Sequence, residues 1–196
     1  MLDQLARQIE ALLVATESPV TLNRVCELTG CGTESAEQAI LRIEAELSSG
    51  GHAMEVARLA GGYRIVTDPD LGFIVGQLFE GKRHSRLSRA ALETLAVIAY
   101  RQPTTRAQVE AVRGVNSDSA MRTLLERDLI KITGRQETPG RPLLYGTTSR
   151  FLEYFGLNNL EHLPRMDEIE NLLKLSAEDI ERMASELSGE DSDQII

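Results

Sequence analysis

Apolar side chains recur at three- and four-residue spacing through Leu2, Leu5, Ile9, Leu12 and Leu13, which puts one apolar stripe on a first helix. Ser18-Pro19-Val20 ends it, because proline lacks an amide hydrogen and drives the preceding residue toward extended geometry. Thr21 is placed to cap a short second helix carrying Leu22, Val25 and Leu28, and Gly30 supplies the left-handed residue that closes it. A third helix follows, with Thr33 as its expected cap, Glu34 in the first turn where the helix dipole favours an anion, and Ala36, Ile40, Ile43 and Leu47 on its buried face. The spacing then changes to alternation: Met54–Leu59 and Tyr63–Thr67 flank Gly61-Gly62 and read as a β-hairpin.

The same plan returns 84 residues later. Leu12–Leu41 aligns without a gap on Ala96–Leu125, with eight identical pairs in thirty, among them Ala15/Ala99, Pro19/Pro103, Thr21/Thr105, Val25/Val109 and Gly30/Gly114. Solenoid units repeat every ~20–50 residues, so this longer period indicates a duplicated domain. In the second copy Ser88 caps a helix through Leu92, Leu95 and Ile98, Gln102-Pro103 is the break, and Thr105-Arg106-Ala107-Gln108 forms a capping box. Ser117-Asp118-Ser119-Ala120 opens its third helix. Leu129–Thr133 and Leu143–Thr147 make the hairpin, joined through Glu137–Pro142. Three helices followed by a two-stranded wing are the winged-helix arrangement, a variant of the helix-turn-helix. The expected fold is therefore mostly α with small β-hairpin wings (α+β), as two tandem winged-helix domains. The boundaries follow as residues 1–70 for the first domain, 71–86 for a helical linker, 87–173 for the second domain and 174–196 for an acidic, partly disordered tail. Within that tail Ala177, Ile180, Met183, Ala184 and Leu187 have helical spacing.

Charge separates the two copies. Residues 1–80 carry 5 basic and 12 acidic side chains, residues 81–150 carry 13 and 6, and residues 151–196 carry 3 and 12. A net −9 over the chain thus conceals a basic middle between acidic ends. Duplex binding requires cations that displace phosphate counterions, and the first copy's third helix offers Glu34, Glu37, Glu44 and Glu46 against Arg42 alone. The second copy has Arg122 and Arg127 on its third helix, Arg135 and Arg141 at the wing and Lys82-Arg83-His84 before it, although Glu126 and Asp128 interrupt the stripe. Its basic face is read first as a solvated surface complementary to the acidic ends, with weak or indirect DNA contact. A DNA-binding transcription regulator is the alternative function.

Chemistry at a catalytic centre finds little support. His52, His84 and His162 are scattered, so no metal ligand set is expected. Gly76–Lys82 has phosphate-loop spacing, but Arg83 stands where a hydroxyl is needed and no strand-loop-helix frames it. Ser117-Asp118-Ser119 reads as capping. No cofactor is expected, and the chain is read as not an enzyme. Cys26 and Cys31 are expected as ordinary thiols. No stretch approaches ~18 consecutive apolar residues, so a cytoplasmic protein without a membrane span is expected.

The most distinctive segments are Leu92–Pro103, Thr138–Thr148, Phe151–Leu157 and Leu160–Pro164. Through them, and from about Leu5 to Leu173, the chain resembles the segregation and condensation protein B (ScpB) family. That resemblance implies two winged-helix domains in tandem, a homodimer formed mainly by the N-terminal pair, and binding to the central part of the kleisin ScpA, which links the SMC ATPase heads. SMC itself would be met only through the kleisin, and the location would be the nucleoid. It also implies no catalytic residues. From the residues themselves, the first helix offers Leu2, Leu5, Ile9 and Leu12 as the dimer face. Three of the chain's eight aromatics fall at 151–155. With the basic wing they suggest Arg141, Tyr145, Tyr154 and Leu157 as the surface for an apolar and acidic partner segment, the alternatives being turn chemistry for Arg141 and a seal at the base of the second module for Tyr154, while Phe151 and Phe155 are expected in the core.

Overall fold

The computed structural model describes residues 2–79, 86–165 and 168. The chain divides into a compact unit over Met1–Leu160 and a second over Glu161–Ile196, and the first contains both winged helices. The expected tail helix and the triplet Lys82-Arg83-His84 lie outside the described residues.

The first module runs α1 (Gln4–Ala15), β1 (Val20–Thr21), α2 (Leu22–Thr29), α3 (Thr33–Ser49), β2 (Met54–Leu59) and β3 (Gly62–Thr67). After a 3-10 turn at Pro69–Leu71 comes α4 (Gly72–Gln77). The second module runs α5 (Arg89–Arg101), β4 (Thr104–Thr105), α6 (Arg106–Arg113), α7 (Asp118–Glu126), β5 (Ile130–Arg135), β6 (Leu143–Thr147) and α8 (Ser149–Tyr154). Each wing is three-stranded and antiparallel, in the orders β1-β3-β2 and β4-β6-β5. The third strand is the two residues that follow each proline, and two residues are too few for alternation to reveal in a sequence.

Local signals account for the helix ends. Thr21 Oγ1 accepts from the Arg24 amide at 3.3 Å, and Gly30 closes α2 at φ 71°. Thr105 and Gln108 form the reciprocal box, with the Thr105 amide donating to Gln108 Oε1 at 2.8 Å. Two capping expectations are corrected. Gly32 occupies the cap position of α3, and Thr33 is already helical. Ser117 stands at the cap of α7 but is buried, and its hydroxyl accepts from Arg113 rather than from the helix amides.

The core also corrects the repeat. In α1 the buried residues are Ala6, Ile9 and Leu13, with Asp3 as cap; in α5 they include Ala91, Thr94 and Ile98, with Ser88 as cap. The first helices therefore superpose at a spacing of 85, while Thr21/Thr105 and Gly30/Gly114 keep 84. In the second copy the first helix runs one residue longer and the break after it is two residues shorter, a net loss of one residue, so the alignment does contain a gap and Ala15/Ala99 is not a structural pair. For the same reason Leu92 is exposed, on the face opposite Thr94 and Ile98. Ile9, Leu13, Val25, Ile40 and Ile43 form the first core, and Leu95, Ile98, Val109, Leu124 and Leu129 the second. Each fully buried Ile, Leu or Val contributes about 1.5–3 kcal/mol of transfer free energy.

The first hairpin turns through Ala60 and Gly61, both at positive φ (50° and 75°), the geometry of a tight type I′ turn. Its two amides reach the second module: Ala60 N–H donates to the Leu157 carbonyl at 2.9 Å, and Gly61 N–H to Asn158 Oδ1 at 3.1 Å.

Candidate protein-binding groove

In the second module the short loop at Asn116-Ser117 sets α7 beside the start of α6. Asn116 Oδ1 accepts from the Asp118 amide at 3.0 Å and Glu110 Oε1 accepts from the Ser117 amide at 3.1 Å. The returning strand β6 completes the third side. Between them lies a groove of about 460 Å³, where Met121 and Leu125 of α7 face Pro142, Leu143 and Tyr145 of the wing. Arg106, Arg122 and Asp118 also line it. Residues 118, 121, 122 and 125 share one helical face by their three- and four-residue spacing.

The electrostatics of this groove are asymmetric. Asp118 is ion-paired to Arg106, which also lies 3.8 Å from Glu110. The Asp118 carboxylate, through its hydrogen bond, pushes the Arg106 guanidinium further up from an already high value. Arg122 is exposed and has no ion pair among the described residues, the Asp118 carboxylate of the groove being engaged by Arg106. An apolar wall with arginines beside it suits a partner segment that combines apolar side chains with carboxylates, since aromatic and arginine anchors dominate interface energetics.

The four residues expected to receive a partner do not form one cluster. Tyr145 lines the groove, and Arg141 precedes its Pro142. Arg141 is exposed at φ 39° next to Gly140 at φ 84°, and its carbonyl accepts from Arg135 at 3.1 Å. Tyr154 and Leu157 are not among the groove's lining residues. Tyr154 is 52 % exposed at the end of α8, edge-on to Phe155 with centroids 5.1 Å apart. The Leu157 carbonyl is taken by the first hairpin. Phe151 is buried as expected; Phe155 is not, because α8 ends at Tyr154 and Phe155 follows on its outer side at 43 % exposure. The sequence did not single out Met121, Leu125 or Leu143 for this groove, although the Asp118–Leu125 spacing carries the signal for the first two.

On α1 the expected dimer face is also redistributed. Ile9 is fully buried in its own module, so it is unavailable to a second subunit, and Leu2 and Leu5 pack against the same core. Leu12 stays partly exposed and lines a separate recess. The first module's acidic third helix is confirmed as exposed at Glu34, Glu37 and Glu46, while Arg42 is ion-paired to Asp3. Among the described residues no group of three His, Cys, Asp or Glu side chains is arranged to hold a metal ion, and no helix is long and apolar enough to cross a membrane.

The model of the segregation and condensation complex subunit ScpB family matches residues 7–166. A segregation and condensation protein B from Symbiobacterium thermophilum is 45% identical over 159 residues, covering 81% of this chain and 72% of that one. Another, from Syntrophotalea carbinolica, is 42% identical over 168 residues, with 86% and 85% covered. Among solved structures, ScpB from Mycobacterium tuberculosis is 39% identical, covering 80% of this chain and 99% of that one at a TM-score of 0.37. A conserved hypothetical protein from Chlorobium tepidum is 38% identical, with 79% and 96% covered and a TM-score of 0.38.

Proposed function

Since the chain belongs to the ScpB family of segregation and condensation complex subunits, we propose that it is a homodimeric, non-enzymatic adaptor that holds the central segment of the kleisin ScpA. Its role lies in chromosome segregation and condensation; in this reading it reaches SMC only through the kleisin and works in the cytoplasm at the nucleoid. The observation that carries the adaptor reading is the groove between α7 and the second wing, apolar along Met121, Leu125 and Tyr145 and flanked by Arg122. A kleisin segment with apolar residues and carboxylates would complement both. The first module, acidic on its third helix, is poorly suited to duplex readout.

The experiment is the light-scattering mass of the protein alone and with the central kleisin segment encoded by the same genome, with a salt series on duplex DNA alongside. A dimer that takes up kleisin and ignores DNA at physiological salt supports the adaptor. Within that complex, Arg122→Glu and Tyr145→Ala should each weaken kleisin binding roughly tenfold or more, the about 1.4 kcal/mol or more lost with an anchor. A protein that ignores kleisin and binds a duplex with a steep salt dependence would instead make this groove a DNA reader, and the adaptor reading would fall.

A further inference from the structure

The first module carries a pair of thiols that the adaptor reading does not use. Cys26 lies in the last turn of α2, and Cys31 follows the left-handed Gly30, whose amide donates back to the Cys26 carbonyl at 2.9 Å. This way of closing a helix folds the residue after the glycine onto the last turn and brings the two side chains together. Cys26 is in side-chain contact with Cys31 and Thr33, and both cysteines pack on the first core while staying partly exposed. Thr29 Oγ1 donates to the Val25 carbonyl at 2.7 Å and lies 3.0 Å from Cys31 Sγ, which holds the second thiol over the same turn. The fold does not demand the pair. At the same helix end in the second module the Gly114 amide donates to the Glu110 carbonyl at 2.8 Å, and Glu110 and Val115 stand where the first module has Cys26 and Cys31.

We infer that Cys26 and Cys31 are a reversible dithiol/disulfide site, closed by a low-molecular-weight disulfide such as oxidised glutathione. The Cys31 thiolate attacks one sulfur of that oxidant, expels one thiolate and is left in a mixed disulfide; Cys26 then attacks the Cys31 sulfur and expels the second. The two thiol protons pass to the expelled thiolates, and the electron pair lost by the protein sulfurs reduces the oxidant to two thiols. The order follows from the surroundings. Burial first, and then the neighbouring Cys31, push the Cys26 thiol up, so Cys31, on the loop side, reacts first and Cys26 resolves the adduct. Among the described residues no third His, Cys, Asp or Glu joins the two in a metal-holding group, which leaves the pair to redox chemistry. Disulfides of reducing compartments are mostly transient and redox-sensing, and a bridge here ties the end of α2 to the approach to α3.

The test is peptide mass mapping of the native protein after treatment with oxidised glutathione, with remaining thiols alkylated in urea. Cleavage after Arg24 and Arg42 places both cysteines on one peptide, Val25–Arg42. In wild type this peptide should lose both alkylation sites and weigh two hydrogens less than its reduced form, and dithiothreitol should restore both sites. Cys26→Ser should instead retain glutathione on Cys31, because the resolving thiol is gone, with far-UV circular dichroism reporting the fold. Cys26→Ala serves in its place if the serine variant loses its helical signal. A wild-type peptide that stays doubly alkylated, keeps glutathione on either cysteine, or is joined to a second chain would overturn the assignment.

Discussion

Gly62 leaves no room for a side chain. A β-carbon there would lie 2.8 Å from the Val20 carbonyl oxygen, and that carbonyl belongs to the short strand paired with Tyr63. Gly62→Ala should therefore lower stability by about 1–3 kcal/mol, read as a lower denaturant midpoint at unchanged slope. A second residue-scale prediction concerns acid. The hydrogen bond from Arg113 holds the Glu93 carboxyl below the usual glutamate range, helped by Arg89, and the Arg113 guanidinium also donates to Ser117 at 2.9 Å. A depressed folded-state pKa contributes stability that is present above the unfolded value and is lost as pH falls through the folded one. Arg113→Met should accordingly flatten the loss of stability across that acid window, followed by urea midpoints against pH. At this scale the sequence shows caps well and burial less well. Thr21, Ser88 and Thr105 announce themselves by type and position, whereas Ile9 and Leu12 look equivalent on a helical stripe until the packing partner fixes which faces inward.

Elements carry the duplication. Two modules built on one plan diverge where a single residue is deleted between the first and second helices, so α5 buries Thr94 where α1 buries Ile9. Identity alone cannot locate such a gap, because Ala15/Ala99 and Pro19/Pro103 align at one spacing while cap and core of the first helix obey another. The tandem winged helices were legible because period, break and hairpin signals agree across both copies. The groove was only half legible, since Tyr145 and Leu125 meet across elements whose approach no local pattern encodes. The capping box on α6 gives an element-scale expectation: Thr105→Ala removes the acceptor for the Gln108 amide and should cost about 1 kcal/mol. The loss should be larger than for Thr21→Ala, because the Thr105 hydroxyl is buried and also donates to Gln108 Oε1, whereas Thr21 is exposed and caps alone. Thermal melts of the two variants in parallel decide it.

For the whole molecule, the two modules meet through backbone groups as well as side chains. Asn158 supplies the oxygen for Gly61, and Leu157 the carbonyl for Ala60. Asn158→Ala should leave each module folded while increasing the radius of gyration in small-angle scattering, since exposed neutral hydrogen bonds contribute about 0.5–1.5 kcal/mol each. Hairpin tips are ordinarily where a chain accepts extra residues at little cost, and the connection between β5 and β6, exposed at Glu137–Arg141, fits that rule. The tip at Ala60-Gly61 does not. One inserted residue would displace both amides from their acceptors, so the two wings, alike in fold, differ in the lengths they tolerate. A tag or label placed in the second wing leaves the tie between modules alone, and the same tag in the first wing severs it.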